Sequence, residues 1–546
     1  MNLRNQWALR IAMLSMVFFS MGWLTVGIKE VYSSPDENAN AFFAQTFSQT
    51  GSLVVSEPLN ALAQGIIHPR STVAPGTLIL PTSFLGFPLV TGAILFLFGT
   101  IGMLAFTPVV AMLAVLSLWW MVRRLTSDEL LADLAALFIL IHPAFWYYSA
   151  RVMMPNVAFV SLLVIGVALV VRSCERRSIL LGAFAGIVIG VGASMRLVEA
   201  PVMILVASIV LVTYRKALPM KILISIVLGG LSVLIAYLMV NAQVYGSVTA
   251  TGYTLPDTRV VSDATSMVVA PSFFSTIGQM LLPFGFHPRA MMVNAFRYGW
   301  LLYPIPSTLA VLGVYFAWTA KEHRKAWRTF VVCLVTASVW MIAVYGSWTI
   351  ADNPDPKAIT IGNSHVRYWL PLFVASSVLA ALVVVRYTRW AIARAKQRRN
   401  NISYQFRPII HAIFVVVVMT LLSIQTVFTG PDGLVAARAA AVASGEKRTA
   451  IISNTEEDAV VIVDRADKYI FPYRRVIVPL RADSTYAAMP ALAPIVPLYY
   501  FGITFPEVDL TYLNDVKLSA MNLSIVPVVT IHDETLYTIQ LRGNDL

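Results

Sequence analysis

FLGFPLVTGAILFLFGTIGMLAFTPVVAMLAVLSLWWMV, running from Phe84 to Val122, is the stretch on which the topology turns. It is long enough for two short membrane spans, yet Pro88, Gly92, Gly99, Gly102 and Pro108 interrupt it. Outward from it, apolar runs fall near 7–28, 103–122, 130–150, 155–172, 179–195, 200–213, 222–242, 300–318, 328–349, 368–386 and 409–428. Most are close to the ~20 residues that cross a bilayer core. Charge decides the parity. With one span inside 84–122, the loops at 1–10, 122–130, 172–178, 214–221, 319–328 and 386–408 share a side and hold 21 of the 40 Lys and Arg. The opposite loops, the tail excluded, hold nine. A second span there would move the cluster Arg386 to Arg407 to the outside, against the positive-inside bias. The expectation is therefore about eleven spans, with 84–102 a surface-lying or re-entrant helix. The N-terminus is then cytoplasmic, and the loops 29–102, 243–299 and 350–367 are external, together with the tail.

Composition agrees with a bilayer in place of a globular core. Of 546 residues, 58% are hydrophobic and 12% charged, and the mean hydropathy is +0.73, against about a quarter charged in a soluble chain. The fold class is an all-α polytopic protein of the cell membrane, with a transmembrane module over 1–428 and a small extracytoplasmic α/β domain over 429–546. The net charge of +12 lies mainly in short loops between apolar runs, which implies membrane lipids rather than nucleic acid as partners. Only Cys174 and Cys333 occur, so no disulfide or cysteine metal site is expected. Trp7 to Ile28 is about 22 residues, roughly 33 Å of helix, without a convincing small-residue cleavage site, and reads as an uncleaved anchor. In the tail, 459–464, 475–480, 524–531 and 535–541 read as strands, and 432–444 and 484–501 as helices. No Gly-rich phosphate loop lies there, which fits a domain that covers or shapes the outer face.

The external loops carry the chemistry-bearing residues. Ser34-Pro35-Asp36-Glu37 opens the first loop with adjacent carboxylates, candidates for taking a proton from a hydroxyl. The same four residues make a good helix start, so a capped surface helix is the alternative. The loop continues through Glu57-Pro58-Leu59-Asn60 and Ile67-His68-Pro69-Arg70. Arg151, Arg196 and Arg367 each precede a helix that runs inward, and Pro155-Asn156, Glu199 and His365 lie beside them. Helix N-termini with arginine suit a phosphate; snorkelling, or an ion pair of Arg196 with Glu199, is the alternative. His68, His287 and His365 show no H-x-x-x-H or H-E-x-x-H spacing, so no zinc set is read. Trp119-Trp120 reads as packing or an interfacial belt.

On these residues the chain resembles the integral-membrane glycosyltransferases of the GT-C class, in particular the protein-mannosyltransferase and aminoarabinose-transferase-like group that uses polyprenyl-phosphate sugars. The resemblance runs over roughly 1–428. It rests on Asp36 with Glu37 in the first external loop, His68-Pro69, the Arg151 to Asn156 stretch, and Arg367-Tyr368 before Leu370-Pro371. Asn156 stands where many relatives have a second aspartate, Arg70 where a second proline is common, and no Trp-Trp-Asp motif occurs.

The resemblance implies transfer of a sugar from a polyprenyl-phosphate donor to a hydroxyl of a protein, lipid or glycan acceptor, on the outer face and with inversion. Asp36 would be the base, helped by Glu37. Arg367, His365, Arg196 and Arg151 would hold the donor phosphate, and His68, Arg70, Asn156, Tyr368 and Glu199 would orient the substrates. No cofactor is required, since the leaving group already carries its charge as phosphate; a divalent cation is useful but not needed. Two other classes stay open: a lipid or polysaccharide transporter or flippase, whose signs would be mid-bilayer charges and inverted repeats, and a cell-envelope assembly protein without catalysis.

Overall fold

The computed structural model describes residues 31–255, 281–350, 357–398 and 402–543, together with 15, 16, 20, 352 and 355. The expected span 7–28 lies mainly outside the described residues. The chain divides into two compact units, one of Met1–Leu24, Ala105–Ile235 and Val268–Ala436, the other of Thr25–Leu104, Ala236–Met267 and Ala437–Leu546.

The first unit is helical. Among the described residues, the whole chain has seven helices long and apolar enough to cross a membrane, or nine if two bent pairs each make one span. One bent pair is Glu129–Leu140 with Pro143–Ala150, at 59°; the other is Pro288–Leu301 with Pro304–Trp318, at 104°. Both breaks fall where a residue precedes proline, His142-Pro143 and Tyr303-Pro304, because proline pushes its predecessor out of the helical region. Ile179–Met195 is a further, shorter apolar helix of 17 residues. It packs on its neighbours through small residues: a Cβ on Gly186 would run into the Ile226 carbonyl oxygen, and one on Gly166 into the Ile189 side chain. Such small-residue contacts let apolar helices approach closely where no water drives them together. Leu370–Arg398 is the central helix of this unit, packed on Pro304–Trp318 and Glu129–Leu140. Met220–Tyr245 instead leaves Leu228, Ile235 and Met239 exposed, as a lipid-facing helix does.

The stretch that decides the topology forms Gly86–Thr126, interrupted at Gly99, where φ is 69° and ψ −173°. That backbone region is essentially restricted to glycine. The break therefore sits four residues before the start expected for the span.

The second unit is built on two sheets. Short strands β1 (Val55–Ser56), β2 (Thr72–Val73) and β3 (Leu78–Pro81) fold the first loop in the order β1-β3-β2. The tail contributes β4 (Val460–Val463), β5 (Arg475–Ile477), β6 (Leu498–Ile503), β7 (Leu523–Ile531) and β8 (Glu534–Leu541), ordered β5-β4-β6-β8-β7. β4 runs parallel to β5 and β6, while β6, β8 and β7 are antiparallel. Leu498–Ile503 corrects the helix expected over 484–501. The helix there is Asp483–Leu492; Pro494 and Pro497 follow it, and the aromatic run Leu-Tyr-Tyr-Phe then enters the middle of the sheet. The helix expected over 432–444 is longer, Leu434–Ser453.

First loop and tail share one core. Ala63, Ile66 and Ile67 of the loop are buried with Val460, Ile462, Ile477, Leu498 and Tyr500 of the sheet, and Ile67 bridges to Ile477.

Candidate functional site

Asp36 and Glu37 open the helix Pro35–Thr50. The Ser34 hydroxyl accepts from the Glu37 amide at 3.3 Å, and the Glu37 carboxylate accepts from the amides of Ser33 at 2.8 Å and Ser34 at 3.1 Å. This is a capping box, the reciprocal pairing that satisfies amides left over at a helix start. Glu37 is 3% exposed and committed to that cap. Asp36 is half-buried, and its Oδ1 accepts the Ser71 hydroxyl at 2.6 Å. Ser71 sits at φ 61°, a left-handed conformation that costs a non-glycine residue about 1 kcal/mol or more. Nothing in the local sequence marks Ser71 as the partner of Asp36; the turn after His68-Pro69-Arg70 brings it there.

The rest of that turn is tied down. His68 is fully buried, with Nδ1 3.0 Å from the Thr72 hydroxyl and 3.1 Å from the Pro69 carbonyl. Arg70 donates from Nε and Nη2 to Asp467 at 2.6–3.1 Å, and its amide donates to the same carboxylate at 2.8 Å. Asp467 has no exposure at all. A second tie joins Arg475 Nε to Glu57 at 2.9 Å, and Asn38 donates to the Phe471 carbonyl at 3.3 Å. The tail thus holds the loop that carries Asp36, through partners in the tail that the loop sequence does not reveal.

The cationic residues lie in the first unit, around aromatic rings. Arg196 ends Ile179–Met195 as its C-cap. Its guanidinium donates to Glu199 Oε1 at 3.0 and 3.2 Å and to the Tyr345 hydroxyl at 2.8 Å, and that hydroxyl donates to Glu199 Oε1 at 2.7 Å. The ion pair read from the Arg196–Glu199 spacing is therefore present, extended by a tyrosine from another helix. Tyr368 gathers the two arginines: the Arg196 guanidinium carbon is 4.8 Å from its ring centre, and that of Arg367 is 5.2 Å. Tyr345 and Trp348 stack against the same ring at 4.7 and 5.7 Å, and Phe284 stacks on Trp348 at 4.2 Å. Tyr345 and Trp348, three residues apart at the end of Arg324–Gly346, were the readable signal for this aromatic stack.

Arg367 also donates to Met154 Sδ at 3.6 Å, and Asn156 donates to the Arg367 carbonyl at 3.4 Å. Asn156 thus orders the segment 363–368 from the side. Arg151 is placed differently. It is nearly buried, donates to the Tyr147 hydroxyl at 3.3 Å and packs over Tyr147 and Tyr148 at 5.5 and 5.9 Å. Those two tyrosines donate to the carbonyls of Asp432, Ile361 and Asn363. His365 is buried, stacked on Tyr298 at 5.1 Å, with Nδ1 2.9 Å from Asn363 Oδ1. An amide oxygen only accepts, so Nδ1 carries the hydrogen of that bond. Burial lowers the His365 pKa to about 4, outweighing the nearby Asp352 carboxylate. The imidazole is neutral at physiological pH, and with its one N–H given to Asn363 it offers a phosphate neither charge nor a hydrogen; its part is to order the Asn363 turn.

Among the described residues, no three His, Cys, Asp or Glu side chains are grouped to hold a metal ion. Trp119 donates its indole N–H to Asp133 at 2.8 Å and lies under Arg123, an interfacial packing arrangement.

No protein-family model matches the chain, and no curated protein matches it by sequence. Solved structures do match. ArnT from Cupriavidus metallidurans bound to undecaprenyl phosphate aligns with a TM-score of 0.54 and 14% identity, over 98% of this chain and 98% of that one. The same protein in the apo state gives 0.53 and 13%, over 99% of each. At such identity the backbone arrangement is what is shared. This chain has the fold of ArnT from end to end, membrane helices and C-terminal sheet domain alike.

Proposed function

We propose that the protein is a membrane glycosyltransferase of the GT-C type, which moves a sugar from a polyprenyl-phosphate donor to an acceptor hydroxyl on the outer face of the membrane. The observation that carries this reading is the end-to-end fold likeness to a protein whose structure holds undecaprenyl phosphate. In the reaction, the acceptor oxygen bonds to the anomeric carbon as the bond from that carbon to the phosphate oxygen breaks. The hydroxyl proton passes to Asp36, and the lipid phosphate leaves with the electron pair. Asp36 is assigned as base because its carboxylate is held by Ser71 while Glu37 is occupied by the cap. Arg367 and Arg196 are assigned to the departing phosphate, with neutral His365 ordering the turn at Asn363 and Arg151 supporting the tyrosines beside it. Asn156, Tyr368 and Glu199 position these arginines, and His68 and Arg70 shape the turn that carries Ser71. A divalent cation is not needed for this chemistry, since the leaving group already carries its charge as phosphate.

The test uses purified full-length protein in nanodiscs with polyprenyl-phosphate sugars and a panel of hydroxyl acceptors. Asp36→Asn keeps size and hydrogen bonding but removes the base, and turnover should fall by roughly 10²–10⁴-fold while donor binding persists. Wild-type turnover in Asp36→Asn would remove Asp36 as base. Absence of transfer from every polyprenyl-phosphate sugar would remove the reading itself.

A further inference from the structure

A second charged site lies within the helical unit, on the face richest in Lys and Arg. An open cleft of about 590 Å³ is lined by Arg324, Lys325 and Arg328 of Arg324–Gly346, and by Thr213 of Ala200–Tyr214. One turn further along each helix, Ile209 and Val332 continue the wall. None of the lining residues is acidic.

Three observations single this cleft out from an ordinary basic loop. Four arginines of neighbouring loops on that face are paired with acids: Arg123 with Glu129, Arg124 and Arg172 with Glu175, Arg389 with Asp128. Among the described residues, Arg324, Lys325 and Arg328 form no ion pair; Lys325 rests over Tyr214 at 4.8 Å and Arg328 over Trp318 at 5.1 Å. The cations also occupy the wrong end of their helix. The first turn of Arg324–Gly346 holds no acid, and its N-cap His323 makes no side-chain capping bond. Positive side chains beside a positive dipole end and uncapped amides are unfavourable without an anion. Finally, the lining changes from cationic to apolar within one turn, the profile of a lipid with an anionic head.

We propose that this cleft binds a phosphate group, that of an anionic membrane phospholipid, with Arg324, Lys325 and Arg328 on the phosphate and Ile209 and Val332 along the start of an acyl chain. Basic clefts between membrane helices attract such head groups at about 1 kcal/mol per Lys or Arg, which is about fivefold in affinity for each.

The experiment is native mass spectrometry of the full-length protein, titrated with phosphatidylglycerol, with phosphatidylcholine and with inorganic phosphate. Wild type should retain phosphatidylglycerol over phosphatidylcholine. Arg324→Gln, Lys325→Gln and Arg328→Gln should each weaken that retention about fivefold, and the triple variant on the order of a hundredfold, with an unchanged melting temperature. Arg124→Gln, an ion-paired arginine of the same face, should change it little. Displacement of the lipid by millimolar inorganic phosphate would assign the cleft to free phosphate instead. Equal retention by wild type and triple variant, or an equal loss in Arg124→Gln, would overturn the site.

Discussion

Arg367 shows how much a single side chain is asked to do. Its guanidinium lies over Tyr368 and reaches Met154, while Asn156 holds its carbonyl. If it meets the donor phosphate, its planar fork matters as well as its charge. Arg367→Lys should weaken donor use and Arg367→Ala weaken it further, with kcat falling along with donor affinity because the contact strengthens as phosphate leaves. A donor titration on both variants checks this; unchanged donor dependence in Arg367→Ala would move the phosphate to Arg196 or Arg151. His365 makes a pH prediction. Its folded pKa of about 4 lies below the ordinary histidine value of 6.5, so the unfolded chain binds the extra proton between those pH values. Stability from this group is complete above pH 6.5 and is lost as pH falls toward 4, by roughly 3 kcal/mol in all. Melting curves of wild type and His365→Gln over that range should converge on acidification; parallel curves would mean that the imidazole is not buried neutral.

At the scale of elements, proline and glycine set where helices break. Gly99 adopts φ 69° with ψ −173°, and a Cβ there would touch nothing within 4 Å. The restriction is therefore one of backbone alone. Gly99→Ala should cost about 1–3 kcal/mol, read as a lower melting temperature, whereas Gly99→Ala with wild-type stability would mean that the helix runs straight through. Around it, Phe96, Leu97, Phe98 and Ile101 are each at least 67% exposed, which suits a bend whose apolar tip lies in lipid. The helix start at Ser34-Pro35 was readable, since capping is a matter of a few adjacent residues. Leu498–Ile503 was not readable. Its place between β4 and β8 depends on partners more than about 30 residues away in sequence, and an apolar run of that length fits a helix as well as a buried strand.

For the molecule as a whole, the tie between first loop and tail is the interaction to break. Arg70→Met would leave the fully buried Asp467 carboxylate without its guanidinium, and roughly 3 kcal/mol of stability should go with it. Arg70→Met with Asp467→Leu should recover most of that loss, because breaking a buried pair on one side costs more than replacing both partners. Limited proteolysis of the tail measures it, and equal resistance in all three proteins would demote the pair to a surface contact. Sidedness is tested separately. Cys174, near the end of Pro155–Arg176, should react with impermeant thiol reagents only from the cytoplasmic side, and a reporter after Leu546 should be active only outside. A cytoplasmic reporter would reverse the parity drawn from the charge asymmetry.

Hydropathy and proline positions belong to the chain itself, and they were enough to read a polytopic helical membrane protein and the α/β character of the tail. They act over one helix length, through the bilayer and the local backbone, so they survive without knowledge of partners. The pairing of Ser71 with Asp36, of Asp467 with Arg70, of Tyr345 with Arg196, and the neutral state of His365 were decided only in three dimensions. Each depends on which buried surface meets which, and a carboxylate or imidazole acquires its chemistry from the neighbours that such packing supplies.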